Sequence, residues 1–396
     1  MLNTFIVLVT VAAAALLLYP RLAKARLWRA SITPLASIIG SGFLVLGPIL
    51  DSSFGQYAPL IMLGLCVGAY LFGGAIRFNI ARLDDGGTRS PVEERLETLA
   101  SWILAFAYIV SVAYYLNLLG AFAVSMTDLN DDFHAKLITS GVLAIILFVG
   151  WTRGFHALER MEQVTVGLKL SIIAGLLFGL GWYFIDRASM GALVLNPATI
   201  NGWQGIALAA GLLVTVQGFE TSRYLGQDYD APTRIRSMRL AQGVSTAIYM
   251  IYILLLSYVF PAGTLILSET AIIDLMQVVA PILPLLLIAA AISAQFSAAV
   301  ADTGGSGGLI AELTRGRISP RMGYAVLVTI GLALTWAMSV FEIISYASRA
   351  FALYYAIQAL IAAKGAFARS EQDKAVGFVL LGVLGFAIAI FGTAVE

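Results

Sequence analysis

The 396-residue chain is 60% hydrophobic and only 12% charged, with a mean hydropathy of +0.89, whereas soluble globular chains carry about 25% charged residues. That balance excludes a soluble fold, and a formal net charge of +1 with no Lys/Arg run set among aromatics excludes a nucleic-acid partner. The single cysteine, Cys66, lies in an apolar stretch, which excludes a disulfide framework and a Cys-based metal site; His134 and His156 stand too far apart for a local metal motif.

A helix needs about 20 apolar residues to cross the hydrocarbon core. Such stretches recur near 2–19, 32–50, 58–81, 99–126, 134–151, 161–185, 203–226, 240–260, 280–312, 322–340, 342–363 and 375–394, which predicts an all-α polytopic membrane protein with 12 transmembrane helices. The first stretch lacks a charged n-region and an Ala-x-Ala exit, so it reads as a retained helix and not as a signal peptide. Basic residues gather in every second linker: Arg21, Lys24, Arg26 and Arg29; Arg77, Arg82, Arg89 and Arg95; Arg153 and Arg160; Arg234, Arg236 and Arg239; Arg315, Arg317 and Arg321; Lys364, Arg369 and Lys374. The intervening loops, with Asp51, with Asp128, Asp131 and Asp132, or with the stretch Pro261 to Asp274, are acidic or neutral. Lys and Arg resist translocation, so the expected placement is the cell inner (plasma) membrane with basic linkers in the cytoplasm and both termini outside.

Two of these stretches are interrupted. In Ile39-Gly40-Ser41-Gly42-Phe43, two glycines stand mid-span, where each costs about 1 kcal/mol relative to alanine. Close packing through small residues is one explanation. The other is an unwound helix whose free backbone groups bind a ligand at the midplane, because irregular backbone at that depth survives only beside a cavity. Five spans later, Gln217-Gly218-Phe219-Glu220-Thr221 interrupts a second helix with a glycine and an acid. Five is odd, so two equivalent five-helix units have opposite topologies. The expected layout is an extra helix and basic linker at 1–31, repeats at 32–185 and 203–370, and a final helix at 371–396. This is a 5+5 inverted repeat with discontinuous first and sixth core helices.

Charged groups at membrane depth are functional candidates. Lys169 lies about two turns inside its span, either snorkelling or functional. Asp302, beside Thr303, either pairs with Lys169 or is solvated near the cytoplasmic end. Glu220 is either a substrate or coupling group or a hydrogen-bond acceptor for the unwound backbone of the partner helix, and Arg223 one turn on is a candidate to pair with it. Tyr114, Tyr115 and Asn117, and Tyr354, Tyr355 and Gln358, either line the path or are ordinary packing, with packing the better reading. The run Gly304 to Gly308 is flexible or closely packed, and it lacks the Gly-Lys-Ser/Thr ending of a phosphate loop.

Several stretches resemble the amino acid, polyamine and organocation (APC) superfamily, which has the leucine-transporter type of fold. Ile39 to Phe43 is similar to its Ile-Gly-x-Gly-Ile/Phe signature in the first core helix. Gly218-Phe219-Glu220, with Gln227 to Arg234, resembles its sixth helix and the Glu-Glu-Val-x-Asn-Pro-x-Arg continuation. Ala157 to Val164 with Lys169-Leu170 resembles the fifth helix, and Thr314 to Pro320 the loop after the eighth. The likeness covers about residues 32–370. The chain departs from it in its additional first helix, in Asp228 as the one member of the usual acidic pair, and in Ala231 where the family has Asn.

The resemblance implies secondary active transport of an amino acid or related amine across the inner membrane by alternating access, proton-coupled or by exchange. It implies that Lys169 stands in for sodium, and that Asp302 and Thr303 lie on the helix whose hydroxyls hold sodium in sodium-driven relatives. Ile39, Gly40, Ser41, Gly42, Phe43, Gln217, Gly218, Phe219 and Glu220 are the expected substrate site. Amides at Gly40 to Gly42 would take the carboxylate, and carbonyls near Gln217 to Phe219 the ammonium. Lys169, Asp302, Thr303 and Glu220 are the expected coupling groups. Partners are the solute, protons and membrane lipid; no cofactor and no metal site are expected. A monovalent-cation or small-anion transporter on the same fold stays open, as more remotely does a membrane sensor or enzyme, although His-Glu-x-x-His and Gly-x-Ser-x-Gly are absent.

Overall fold

The computed structural model describes residues 1–86, 89–152, 156–226, 228–261, 263 and 267–394. Arg153, Gln227 and the side chains of Ser41 and of the motif Ala157 to Val164 lie outside the described residues. In chain order the helices are α1 (Leu2–Leu17), α2 (Pro20–Ala23), α3 (Arg26–Ser41), α4 (Phe43–Phe54), α5 (Ala58–Asp84), α6 (Pro91–Val124), α7 (Asp132–Thr152) and α8 (His156–Ser189). They continue with α9 (Gly202–Gly211), α10 (Thr221–Tyr224), α11 (Ala231–Leu256), α12 (Ala271–Val279), α13 (Leu283–Leu313), α14 (Pro320–Ala337), α15 (Val340–Ala368) and α16 (Gln372–Phe391).

Each predicted span is matched by one helix, or by a broken pair: α3 with α4, and α9 with α10. Among the described residues, eight segments are long and apolar enough to cross a membrane on their own. Half-helices such as α9, with 10 residues, reach only about 15 Å at 1.5 Å per residue and need a partner piece. One element lies where the sequence reading has an outer loop. Within and beyond Pro261 to Asp274, Ile272, Leu275, Met276 and Val279 share one face at helical spacing and are buried, so α12 forms and packs against α13 and α4.

Helix starts follow from their caps. Ser90 and Glu93 form a reciprocal capping box before Pro91, and Ser339 and Glu342 do the same for α15. Asp230 caps α11 by accepting from the Thr233 amide at 3.3 Å.

Basic linkers distant in sequence meet at one end of the bundle. Arg26 reaches Asp230 at 3.5 Å and Arg369 reaches Asp85 at 3.1 Å, while within one linker Arg82 pairs with Glu93. At the opposite end, neutral hydrogen bonds join distant segments: the Asn196 side-chain amide donates to Phe260 O at 2.9 Å and the Gln56 backbone amide to Asn196 O at 2.9 Å. The core runs along α6, which packs on α13, α15 and α7. The glycine-rich run is interior helix in α13. A Cβ on Gly305 would stand 2.9 Å from the Tyr108 ring, and one on Gly307 2.3 Å from the Tyr324 ring. These glycines therefore admit neighbouring rings and are not a loop.

Candidate functional site

The first break falls at Gly42. α3 continues through Gly40 to Ser41, so the break expected over Gly40 to Gly42 narrows to Gly42 (φ −135°, ψ −1°), and the free amides begin there, at the start of α4, and not at Gly40. Gly40 instead permits close approach: a Cβ there would stand 3.1 Å from Ala298 Cβ and 3.6 Å from Lys169 Nζ. At Gly42 a Cβ would overlap Thr215, 2.5 Å away. Phe43, the first residue of α4, lies against Tyr252 and Tyr249 at ring-centroid distances of 4.5 and 5.6 Å, and Ile39 is buried.

The second break is longer. α9 ends at Gly211, one 3-10 turn covers Leu213–Val216, Gln217 is extended, and Gly218 takes φ +114°, a backbone state that side chains disfavour. A Cβ on Gly218 would lie 2.4 Å from Ser37 Oγ. Gly42 thus meets Thr215, and Gly218 meets Ser37, so the two interrupted helices touch at both breaks. Tyr249 ties them together, its hydroxyl 2.9 Å from Ile38 O and 2.6 Å from Thr215 O. Breaking a helix frees carbonyls, and this hydroxyl shares its single hydrogen between one from each side.

Less main-chain dipole is exposed than the sequence reading expects. Gly218 O accepts from the Thr221 hydroxyl at 2.7 Å, and Phe219 O from the Ser222 amide at 3.3 Å. Side chains supply the open valences. Glu220 Oε2 accepts from the Gly218 amide at 2.9 Å and from the Tyr355 hydroxyl at 2.7 Å. Gln217 Nε2 donates to the Tyr115 hydroxyl at 2.6 Å. The other oxygens of these two residues, Glu220 Oε1 and Gln217 Oε1, are buried with no hydrogen-bond partner among the described residues. Phe219 stacks on Tyr355 with centroids 5.0 Å apart.

Tyr115 and Tyr355, for which the sequence favours packing over lining the path, therefore touch the site directly. Neither carries a distinguishing signal, since a tyrosine in an apolar helix looks the same whether or not its hydroxyl meets a functional group. Arg223 pairs with Glu97 of α6 and not with Glu220, whose Oε2 is taken by the Gly218 amide and the Tyr355 hydroxyl.

Lys169 is 1% exposed, which rules out snorkelling, and its ammonium donates to Ala36 O at 2.7 Å. Asp302 is equally buried and accepts from the Ser111 hydroxyl, which rules out a solvated carboxylate. The Thr303 hydroxyl donates to Ala299 O one turn back at 2.6 Å. A cavity of about 20 Å³ lies between Ile39, Gly40, Lys169 and Gln295, room for about one water.

The whole architecture superimposes on the solved structure of Mhp1, a nucleobase-cation-symport-1 family transporter in a closed conformation with bromovinylhydantoin bound. The TM-score is 0.58, with 91% of this chain and 90% of that one covered at 11% identity. The likeness shows the inverted-repeat fold. In sequence, the chain is 42% identical over 388 residues to an uncharacterized protein of Aquifex aeolicus (strain VF5), covering 96% of this chain and 94% of the relative. A family model described as APC superfamily transporter matches residues 20–392. With two broken helices in contact at the centre of this fold, the chain belongs to the APC superfamily of transporters.

Proposed function

We propose that the protein carries an amino acid or a related amine across the inner membrane by alternating access at the paired breaks, without sodium and coupled to protons or running as exchange. The observation that carries this reading is the pair of buried, unsatisfied acceptors at the second break, Gln217 Oε1 and Glu220 Oε1. An unsatisfied buried acceptor costs about 1–3 kcal/mol, and an ammonium group brings the missing donors. The α4 amino terminus at Phe43 supports the other half of an amino acid, since a helix N-terminus favours a carboxylate. Lys169 supports sodium independence, because its ammonium already occupies a carbonyl of the first core helix. The ends rich in Arg and Lys are assigned to the cytoplasm and both termini to the outside.

A thermal-shift screen of the purified protein against amino acids, polyamines, nucleobases, hydantoins and simple ions tests the substrate class. Amines are expected to raise the melting temperature equally in sodium and choline buffers. Stabilisation by a hydantoin or nucleobase but by no amine would move the reading toward the ligand seen on Mhp1; stabilisation by ions alone would favour an ion transporter.

A further inference from the structure

α10 is four residues long and cannot sustain itself as an isolated helix, yet it follows directly on the break that carries Glu220. It packs on α3 and α11 with Thr221 and Ser222 buried, and a charge pair ties it to α6. Arg223, on α10, donates to Glu97 on α6, and their side chains are only 10% and 15% exposed. Glu97 also accepts from Arg89 at 3.3 Å and from the Gln358 amide at 3.3 Å. Behind it, Arg234 of α11 donates to Arg223 O at 2.9 Å, and the hydroxyls of Tyr224 and Tyr354 stand 3.3 Å apart.

Glu97 and Gln358 thus lie on α6 and α15, while Arg223 and Arg234 lie on α10 and α11. The pair joins the two groups of helices at the end where the basic linkers meet. We propose that Glu97 and Arg223 form a charge latch that closes this end of the transport path and must part whenever the path opens there. The latch rests on the alternating-access part of the function reading and is independent of which solute moves.

Thiol accessibility tests this without a known substrate. In a Cys66→Ser background, Ala100→Cys places a thiol at a fully buried position three residues beyond Glu97 on the same face of α6. Ala347→Cys, buried in α15, serves as the control for general loosening. Labelling by a bulky hydrophilic maleimide is followed in nanodiscs after gel filtration confirms a monodisperse protein.

Glu97→Gln and Arg223→Gln are each expected to speed labelling at position 100 at least tenfold and leave position 347 unchanged. Arg223→Lys, which keeps the charge, should stay within threefold of the parent. Slow labelling that is the same in the parent and in Glu97→Gln overturns the latch alone. Equal acceleration at both positions also overturns it, as loss of structure. No labelling at position 100 in any variant overturns alternating access together with the latch. Should Arg223→Gln not fold, the near-isosteric Glu97→Gln decides.

Discussion

The two oxygens of Glu220 have separate duties. Oε2 is committed to the Gly218 amide and the Tyr355 hydroxyl, while Oε1 is buried without a partner among the described residues. Tyr355→Phe removes one donor from a buried carboxylate, worth about 1.5–3 kcal/mol for a charged acceptor. The expected result is a lower melting temperature and weaker ligand stabilisation, both read in one thermal-shift titration; an unchanged titration would make Tyr355 a packing residue after all. Glu220→Gln keeps the shape but removes the charge, and should reduce transport rate more than expression. Wild-type kinetics would instead assign Glu220 to backbone support. Lys169→Ala should abolish the pH dependence of uptake into proteoliposomes, and a retained pH profile would end its coupling role. Gln217, Glu220 and Lys169 are legible from sequence because polarity at membrane depth is costly. Tyr115 and Tyr355 are not, because their hydroxyls matter only through what folding sets beside them.

At the scale of the element, a break is a place where the helix ladder is given up for contact. Gly42 and Gly218 have no room for a side chain, since a Cβ at either position would stand within 2.5 Å of Thr215 or Ser37 respectively. Gly218 also needs a positive φ. Gly218→Ala therefore combines overlap with backbone strain of about 1–3 kcal/mol, and Gly42→Leu drives a branched side chain into Thr215. Both should eliminate ligand-induced stabilisation. Gly40→Ala, inside a continuous helix with Ala298 Cβ 3.1 Å away, should be markedly milder. Equal damage at all three positions, measured by thermal unfolding with and without ligand, would argue that close packing and not the breaks governs this region. The existence of both breaks can be read from glycine and acid within apolar runs. Which glycine ends the ladder cannot, since Gly40 and Gly42 carry the same local penalty and only tertiary contacts separate them. The α12 helix is hidden for a related reason: nine residues are too few for a hydropathy signal, and its one apolar face is stabilised by α13 and α4.

For the whole molecule, the question is whether α1 belongs to the transport core. It packs along α8 through small residues: a Cβ on Gly175 would overlap the Thr10 hydroxyl, and one on Gly179 would stand 2.9 Å from Ile6 Cδ1. Ile6 is the one fully buried residue of α1, and the family match begins only at residue 20. In lipid, parting two apolar helices forfeits packing but no hydrophobic driving force, so removing α1 should be tolerated. Deleting residues 1–18 leaves Arg21, Lys24, Arg26 and Arg29 at the new amino terminus, and by the positive-inside rule these still hold the α3 entrance in the cytoplasm. The remaining helices should therefore insert in their original orientation. The truncated protein should be monodisperse, melt a few degrees lower, and keep the same ranking of stabilising ligands. Protease protection of an amino-terminal tag checks the orientation. Inversion of the remaining helices, or loss of all ligand response with the fold intact, would make α1 part of the transport machinery through its grip on α8, the helix that carries Lys169.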